Sequence, residues 1–361
     1  SSGAAGGAGG TPGKITFKVK NVPADADLTA TDDLLLNTNN CGYPPEIDTG
    51  KLTINGCSED KLKGKYTLSE ITQADTSLGT LNAALLVTRR FVVEQGMNVN
   101  VVGNRPLIVV ALDEALINGH LQASAFGQTP RGGGFGPGEN GQNGLGPGGG
   151  GKWGGDSAGG GAGFCGKGGP GGTNGTNGGK TYGNPENVPL IGGSSGAKHE
   201  WYGSAGGGAI QISAGVRVEV GLLGVIHVGG GGCGWTAGGA GSGGAILLEA
   251  PKVRVVGHLA ANGGGGSSPS SADASNGADA SDDDQPALGG HVDMIPHGGN
   301  GSAGAMIDGQ PGESGAMPGY LSGGGGGGAG RIRINVAEGE PEVTGLVSPS
   351  KGTACFTVGK L

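Results

Sequence analysis

A short hydrophobic pattern recurs along this chain, and no other feature limits its fold as strongly. Residues 84–101 (ALLVTRRFVVEQGMNVNV), 107–124 (LIVVALDEALINGHLQAS) and 245–262 (AILLEAPKVRVVGHLAAN) align without gaps. Each copy opens with an apolar block of strand length, turns a short corner and continues as a second apolar strand. A glycine follows at the thirteenth place, Gly96, Gly119 or Gly257, and then a third short strand. The trio Gly-His-Leu recurs at 119–121 and 257–259. A longer copy occupies 209–228, and a looser one occupies 331–350 with Gly345 in the glycine place. The first two copies are contiguous, and their glycines lie 23 residues apart. Three strands in that length leave no room for a helical crossover, so a βαβ sheet is excluded. The pattern predicts an all-β fold, a parallel β-helix in which each coil buries its apolar side chains only against the next coil. Columns such as Leu86, Val109 and Leu247 are expected as ladders in the interior. Thr88 then aligns with Ala111 and Glu249, Phe91 with Glu114 and Lys252, and Arg90 with Asp113 and Pro251.

Between the copies the chain is dominated by glycine. Of 361 residues 89 are Gly, about a quarter against a usual ~7%. Only 14% are charged and 4% aromatic, which excludes an ordinary mixed α/β enzyme with one large aliphatic core. The glycines concentrate in two insertions, 127–207 and 263–329, both leaving after a third strand and so expected on one side of the stack. Their three-residue phasing (Gly138, Gly141, Gly144; Gly309, Gly312, Gly315) suits extended helices of the polyglycine or polyproline-II type packed side by side. Flexible loop is the alternative, and only 19 Pro with a slipping phase argue against collagen. The Ser- and Asp-rich tract 267–286 is expected to be the least ordered part. The organisation reads as a tether (1–13), an N-terminal cap with first strands (14–80), coils (81–126), the first insertion (127–207), coils (208–262), the second insertion (263–329), and a last coil with a cap (330–361). Alternating strands are expected at Lys14–Val19, Lys51–Ile54 and Met97–Val101. The opening SSGAAGGAGGTPG reads as a processed N-terminus followed by a tether, or as a natural linker.

The net charge is −8 without a basic block, which argues against a nucleic-acid partner. No apolar run approaches the ~20 residues of a membrane-spanning helix. The five cysteines lack the CxxC spacing of a zinc site. Glycine-rich segments bury little apolar area, so covalent staples would matter there. Two disulfides are expected, Cys41 with Cys57 and Cys165 with Cys233, leaving Cys355 over; five reduced thiols are the alternative.

Chemistry-bearing residues are sparse. Polysaccharide-cleaving enzymes need converging carboxylates, and no aligned column stacks acids. Asp113 and Glu114 read as a solvated corner, and Glu338, Glu340 and Glu342 as an exposed charged edge without a basic partner. His291, Asp293 and His297 could form a weak metal site, and Asp282, Asp283 and Asp284 a weak Ca²⁺ site; surface histidines and a solvated acidic run are the ordinary readings. His120 and His258 occupy equivalent places after the corner glycine and read as a stacked corner. Trp153, Trp201, Tyr202 and Trp235 could stack on sugar rings or plug the junction between the glycine tracts and the strands. No catalytic or cofactor-binding residues are expected.

The strings RPLIVVALDEALINGHLQAS, GGGAIQISAGVRVEV, GSGGAILLEAPKVRVVGHLAANGGGG and GGGGGGAGRIRIN resemble a family of glycine-rich exported proteins and lipoproteins of Gram-negative bacteria, PE-PGRS-like in composition. The resemblance covers most of residues 80–336. It implies export to the envelope or beyond it, with an N-terminal lipid anchor in some members, and it supplies no catalytic residues. The Asp/Ser tract at 267–286 departs from that pattern, and the lipid anchor of that family would need a Cys ahead of Ser1. The expectation is a non-enzymatic structural or adhesive protein, secreted or on the outer cell surface, contacting polysaccharide or copies of itself. A carbohydrate-cleaving protein, a filament subunit and an ice-binding protein are the alternatives.

Overall fold

The computed structural model describes residues 14–73, 79–152, 158–172, 177–198, 202–234, 236–270, 275–315 and 322–361. The regular elements among the described residues are almost entirely β-strands. An N-terminal region carries β1 (Leu34–Leu36), β2 (Cys41–Asp48), β3 (Thr53–Cys57), a single helical turn α1 (Glu59–Leu62) and β4 (Thr67–Thr72). Triads of strands follow: β5 (Asn82–Thr88), β6 (Phe91–Val93) and β7 (Asn98–Val102); β8 (Leu107–Ala111), β9 (Glu114–Ile117) and β10 (His120–Gln122). After the first insertion come β11 (Ala209–Ala214), β12 (Arg217–Val220) and β13 (Val225–His227), then β14 (Ala245–Glu249), β15 (Lys252–Val255) and β16 (His258–Ala260). The last group is β17 (Arg331–Val336), β18 (Glu342–Val343), β19 (Leu346–Ser348) and β20 (Phe356–Lys360).

Three long sheets result, and each takes one strand from every triad. Sheet A runs β1-β6-β9-β12-β15-β18, sheet B β19-β16-β13-β10-β7-β2-β3, and sheet C β20-β17-β14-β11-β8-β5-β4. Neighbours are parallel except for the β2–β3 and β4–β5 pairs. Both exceptions lie at the N-terminal end of the stack, where reversed strands cover edges that would otherwise invite pairing with another chain.

The character of each sheet follows from its sequence. Second strands alternate, as in Lys252-Val253-Arg254-Val255, and sheet A buries one face and wets the other. First strands are continuously apolar, and every residue of β8 and β14 is buried. Sheet C is therefore covered on both sides. Its inner residues Leu86, Val109, Ile212, Leu248 and Ile334 join Val99, Leu121, Ile226 and Leu259 of sheet B and Val93, Ile117, Val220 and Val255 of sheet A in the main core. Its outer residues Leu85, Ile108, Val110 and Leu247 form a second cluster under Val19, Val22, Leu190 and Ile191. This corrects the expected register: Val109 stands opposite Ile212, which stands opposite Leu248, so Leu247 faces outward. The gapless alignment placed the first strand of the fourth triad one residue early, and a one-residue slip exchanges the two faces of a strand. The segment Lys14–Val19 is also not a strand; it lies irregularly across the outer face of sheet C, whose edge is already taken by β4.

The glycine tracts form a second layer held by peptide groups. Gly159 and Ala162 donate to the carbonyls of Ala237 and Ala240, Ala240 and Gly243 donate to Gly325 and Gly328, and Gly325 and Gly328 donate back to Gly159 and Ala162. Three segments thus run parallel with hydrogen bonds at every third residue. Segment 229–244, expected among the coils, belongs to this layer. The tract 267–286, expected to be the least ordered, is also tied in where described. Gly277 and Ala280 donate to Cys233 and Gly230, and Ser267 bonds Gly238 through both its backbone and its hydroxyl. Side chains appear mainly where a donor lacks a carbonyl: Asp279 Oδ1 accepts from Gly127 N at 2.8 Å and from Gly232 N at 2.7 Å.

Two disulfides are present, and one pairing differs from expectation. Cys41 bonds Cys57 across the β2–β3 pair, but Cys165 bonds Cys355, and Cys233 is a buried free thiol. The backbone explains the exchange. Cys165 N donates to Ala329 O just before β17, and Ile332 N at the start of β17 donates to Cys355 O. Burial pushes the Cys233 thiol up to about 12, so it remains protonated.

A methyl group at Gly325 would overlap the Gly169 carbonyl oxygen, whereas one at Gly136 would meet only the Pro130 ring at 3.5 Å. Gly325→Ala should therefore cost about 3 kcal/mol or more, and Gly136→Ala should stay within roughly 0.5 kcal/mol in thermal or denaturant melts. Cys355→Ser opens a link spanning 190 residues of sequence and should cost about 2–5 kcal/mol. In the parent protein, Cys233 should resist alkylation until the chain is unfolded.

Candidate functional surface

The solvated face of sheet A carries a ladder of opposite charges. Arg90 lies 3.7 Å from Asp33 and 3.3 Å from Glu114. Arg217 lies 2.9 Å from Glu114 and 3.3 Å from Glu219. Arg254 then bridges Glu219 and Glu342, each at 3.0 Å. Glu114 is thus beside Arg90 rather than in the column of Phe91, which stands opposite Ala115. Glu342 does have a basic partner, contrary to the reading of its run as unpaired. Each rung places residues about 4.8 Å apart, so alternating signs relieve the repulsion that stacked like charges would create. The Arg217–Glu114 approach leaves Arg217 Nε without an aligned hydrogen bond, which makes it an ion contact rather than a directed one. A groove of about 280 Å³ follows this ladder, with Lys252, Glu338 and Glu340 also along it.

Sheet B presents amides and imidazoles. Gln122 Nε2 donates to Asn98 Oδ1 and Asn100 Oδ1 at 2.7 and 3.0 Å, and Arg131 donates to Asn100. His120 and His258 stand opposite Val225 on either side, one triad apart in each direction. They line a groove of about 530 Å³ with Met97, Asn98, Leu222, Leu223 and Asp282. His227, two residues beyond Val225, is buried with its Nε2 unpaired. Burial pushes its pKa down to about 4, against the raising effect of Asp282 and Asp283, so the ring is neutral at ordinary pH.

The acidic run does not converge as a calcium site would. Asp283 accepts from Ser281 Oγ and Gln285 N, Asp284 accepts from Gln285 Nε2, and Asp282 points its influence at His227 and the sheet B groove. His291 and His297 do meet, with ring centroids 3.7 Å apart. Asp293 approaches His291 at 3.5 Å, while His297 is engaged by Glu313 at 3.3 Å. Among the described residues no group of three or more His, Cys, Asp or Glu could hold a metal ion. Of the aromatic candidates, Tyr202 lies against Gly234, where a methyl group would strike its ring. Trp153, Trp201 and Trp235 lie outside the described residues.

Sequence reasoning missed a buried polar cluster on the outer face of sheet C. Fully buried Glu249 accepts from Lys20 N, Gln211 Nε2, Ser213 Oγ and Asn335 Nδ2 at 3.0–3.2 Å. Ser213, Glu249 and Asn335 share one ladder position, and the correct register would have exposed them. Burial holds the Glu249 carboxyl above the ordinary glutamate range, although Asn335 and Ser213 bond it. The folded chain therefore keeps this proton to a higher pH than the unfolded chain. Its contribution is full below the unfolded pKa and is lost as pH rises through the raised folded one. Glu249→Gln, always neutral, should flatten the decline of the thermal midpoint with pH that begins above about 4.5 in the parent protein.

No described helix is long and apolar enough to cross a membrane. No known protein family, curated protein or solved structure matches the chain, so its functional reading rests on this geometry.

Proposed function

We propose that this chain is a non-enzymatic structural or adhesive protein of the cell surface or extracellular space. In this reading the three sheets close into a parallel β-helix, and the glycine tracts pack beside it as polyglycine II-type helices. The resulting face is rigid, largely side-chain-free and suited to contact with polysaccharide or with copies of itself. The observation that carries the reading is the three-way exchange of backbone hydrogen bonds among segments 159–162, 237–243 and 325–328. A chain that spends its backbone bonds this way gains stiffness rather than a mobile catalytic pocket. Two disulfides suit an oxidising compartment, in keeping with the resemblance to exported lipoproteins.

Incubation with a panel of soluble and insoluble polysaccharides tests this. The expected result is co-sedimentation with at least one glycan, no release of reducing ends, and resistance of the folded chain to broad-specificity protease. Release of reducing ends would overturn it in favour of the carbohydrate-cleaving reading, with the sheet A groove as the place to look. Filaments or thermal hysteresis without glycan binding would favour assembly or ice binding instead.

A further inference from the structure

The corner between β12 and β13 is longer than the equivalent corners of the two neighbouring triads. Two residues separate the second and third strands in the triads on either side, Asn118-Gly119 and Val256-Gly257, but four do so here, Gly221 to Gly224. The extra pair is Leu222-Leu223. The insertion is held firmly: Gly224 N donates to Gly221 O, Gly221 N to Ile117 O, and Val225 N to Gly119 O at 2.8–3.0 Å. It nevertheless leaves Leu222 74% and Leu223 56% exposed. A fixed, exposed pair of leucines gives nothing to the core, and such a patch marks a contact surface.

The surroundings indicate what that contact is. His120 lies on the preceding triad and His258 on the following one, so the leucine ridge stands between two imidazoles. Asp282 reaches the same groove from the glycine layer, and Asn98 and Gln95 line its far side. His258 Nδ1 is buried without a partner, which leaves Nε2 to carry the ring's hydrogen bonding. Apolar ridge, amides, imidazoles and one carboxylate together match a ligand with both a C–H face and hydroxyls. The cavity of about 530 Å³ is of small-ligand size. Asp282 and a net charge of −8 disfavour an acidic ligand.

We infer that this groove is a binding subsite for a neutral polysaccharide, with a pyranose ring lying on Leu222 and Leu223 and its hydroxyls meeting His120, His258 and Asp282. The inference rests on the polysaccharide reading above and gives it a location. Titration of histidine-labelled full-length protein with glucose hexamers of β-1,4, β-1,3 and α-1,4 linkage, and with an oligogalacturonate, tests it by NMR. The expected result is a saturable shift of the His120 and His258 ring signals with a neutral hexamer and not with the oligogalacturonate. Leu222→Ser/Leu223→Ser, which alters only exposed side chains, should keep the melting profile and weaken binding about tenfold or more. Binding that leaves both histidines unmoved and survives the double substitution overturns the subsite while the polysaccharide reading stands. Binding of no oligosaccharide overturns both. A sedimentation boundary that depends on concentration in the parent protein but not in the double variant, without sugar binding, assigns the ridge to contact between copies and likewise overturns the inference.

Discussion

Every buried peptide N–H and C=O must find a partner, and this chain satisfies that demand in two ways side by side. Apolar triads stack as parallel strands, with their hydrogen bonds directed along the stack and their side chains filling an interior. Glycine tracts bond sideways to several neighbours at once, at every third residue, with few large side chains among them. The second arrangement is possible only because the backbones approach so closely that a Cβ would collide with a neighbouring carbonyl, as at Gly161, Gly239 and Gly327. The two layers meet where each tract returns to a first strand. Gly208, Gly244 and Gly330 lie immediately before β11, β14 and β17, and Ala245 and Arg331 donate to the carbonyls of Gly208 and Gly244.

This division gives the three sheets different surroundings. Sheet C is sealed under the irregular segment around Val19 and Val22, so it tolerates continuous apolar runs and hides the Glu249 cluster. Sheet A faces water, and a chain of ion pairs runs along it from Asp33 to Glu342, although Arg217 also stands opposite Lys252. Pairs this exposed are worth about 0–1 kcal/mol each. Sheet B carries the amides and imidazoles, partly roofed by the acidic tract. The surface chemistry of the molecule is thus concentrated where the glycine layer leaves a sheet uncovered.

Much of this was legible in the residues. The gapless copies revealed parallel triads, and the corner glycines Gly119, Gly257 and Gly345 marked where the chain passes from one sheet to the next. The three-residue glycine phase foretold the spacing of the tract hydrogen bonds. The one-residue slip between Leu247 and Leu248 was not legible, because four apolar residues in a row carry no alternation to set the face. That slip also concealed the stacking of Ser213, Glu249 and Asn335. Cysteine spacing was a poor guide, since Cys165 and Cys355 are distant in sequence and meet only because β20 pairs with β17.

Local chemistry in the chain settled which segments could be strands and which had to pack without side chains, because periodicity and the missing Cβ act over a few residues. Only the tertiary arrangement decided which tracts bond to one another, which thiol stays free, and which imidazoles flank the exposed leucines. Those outcomes depend on how insertions of unequal length return to the stack, and glycine segments of nearly uniform composition contain no information that selects one neighbour over another.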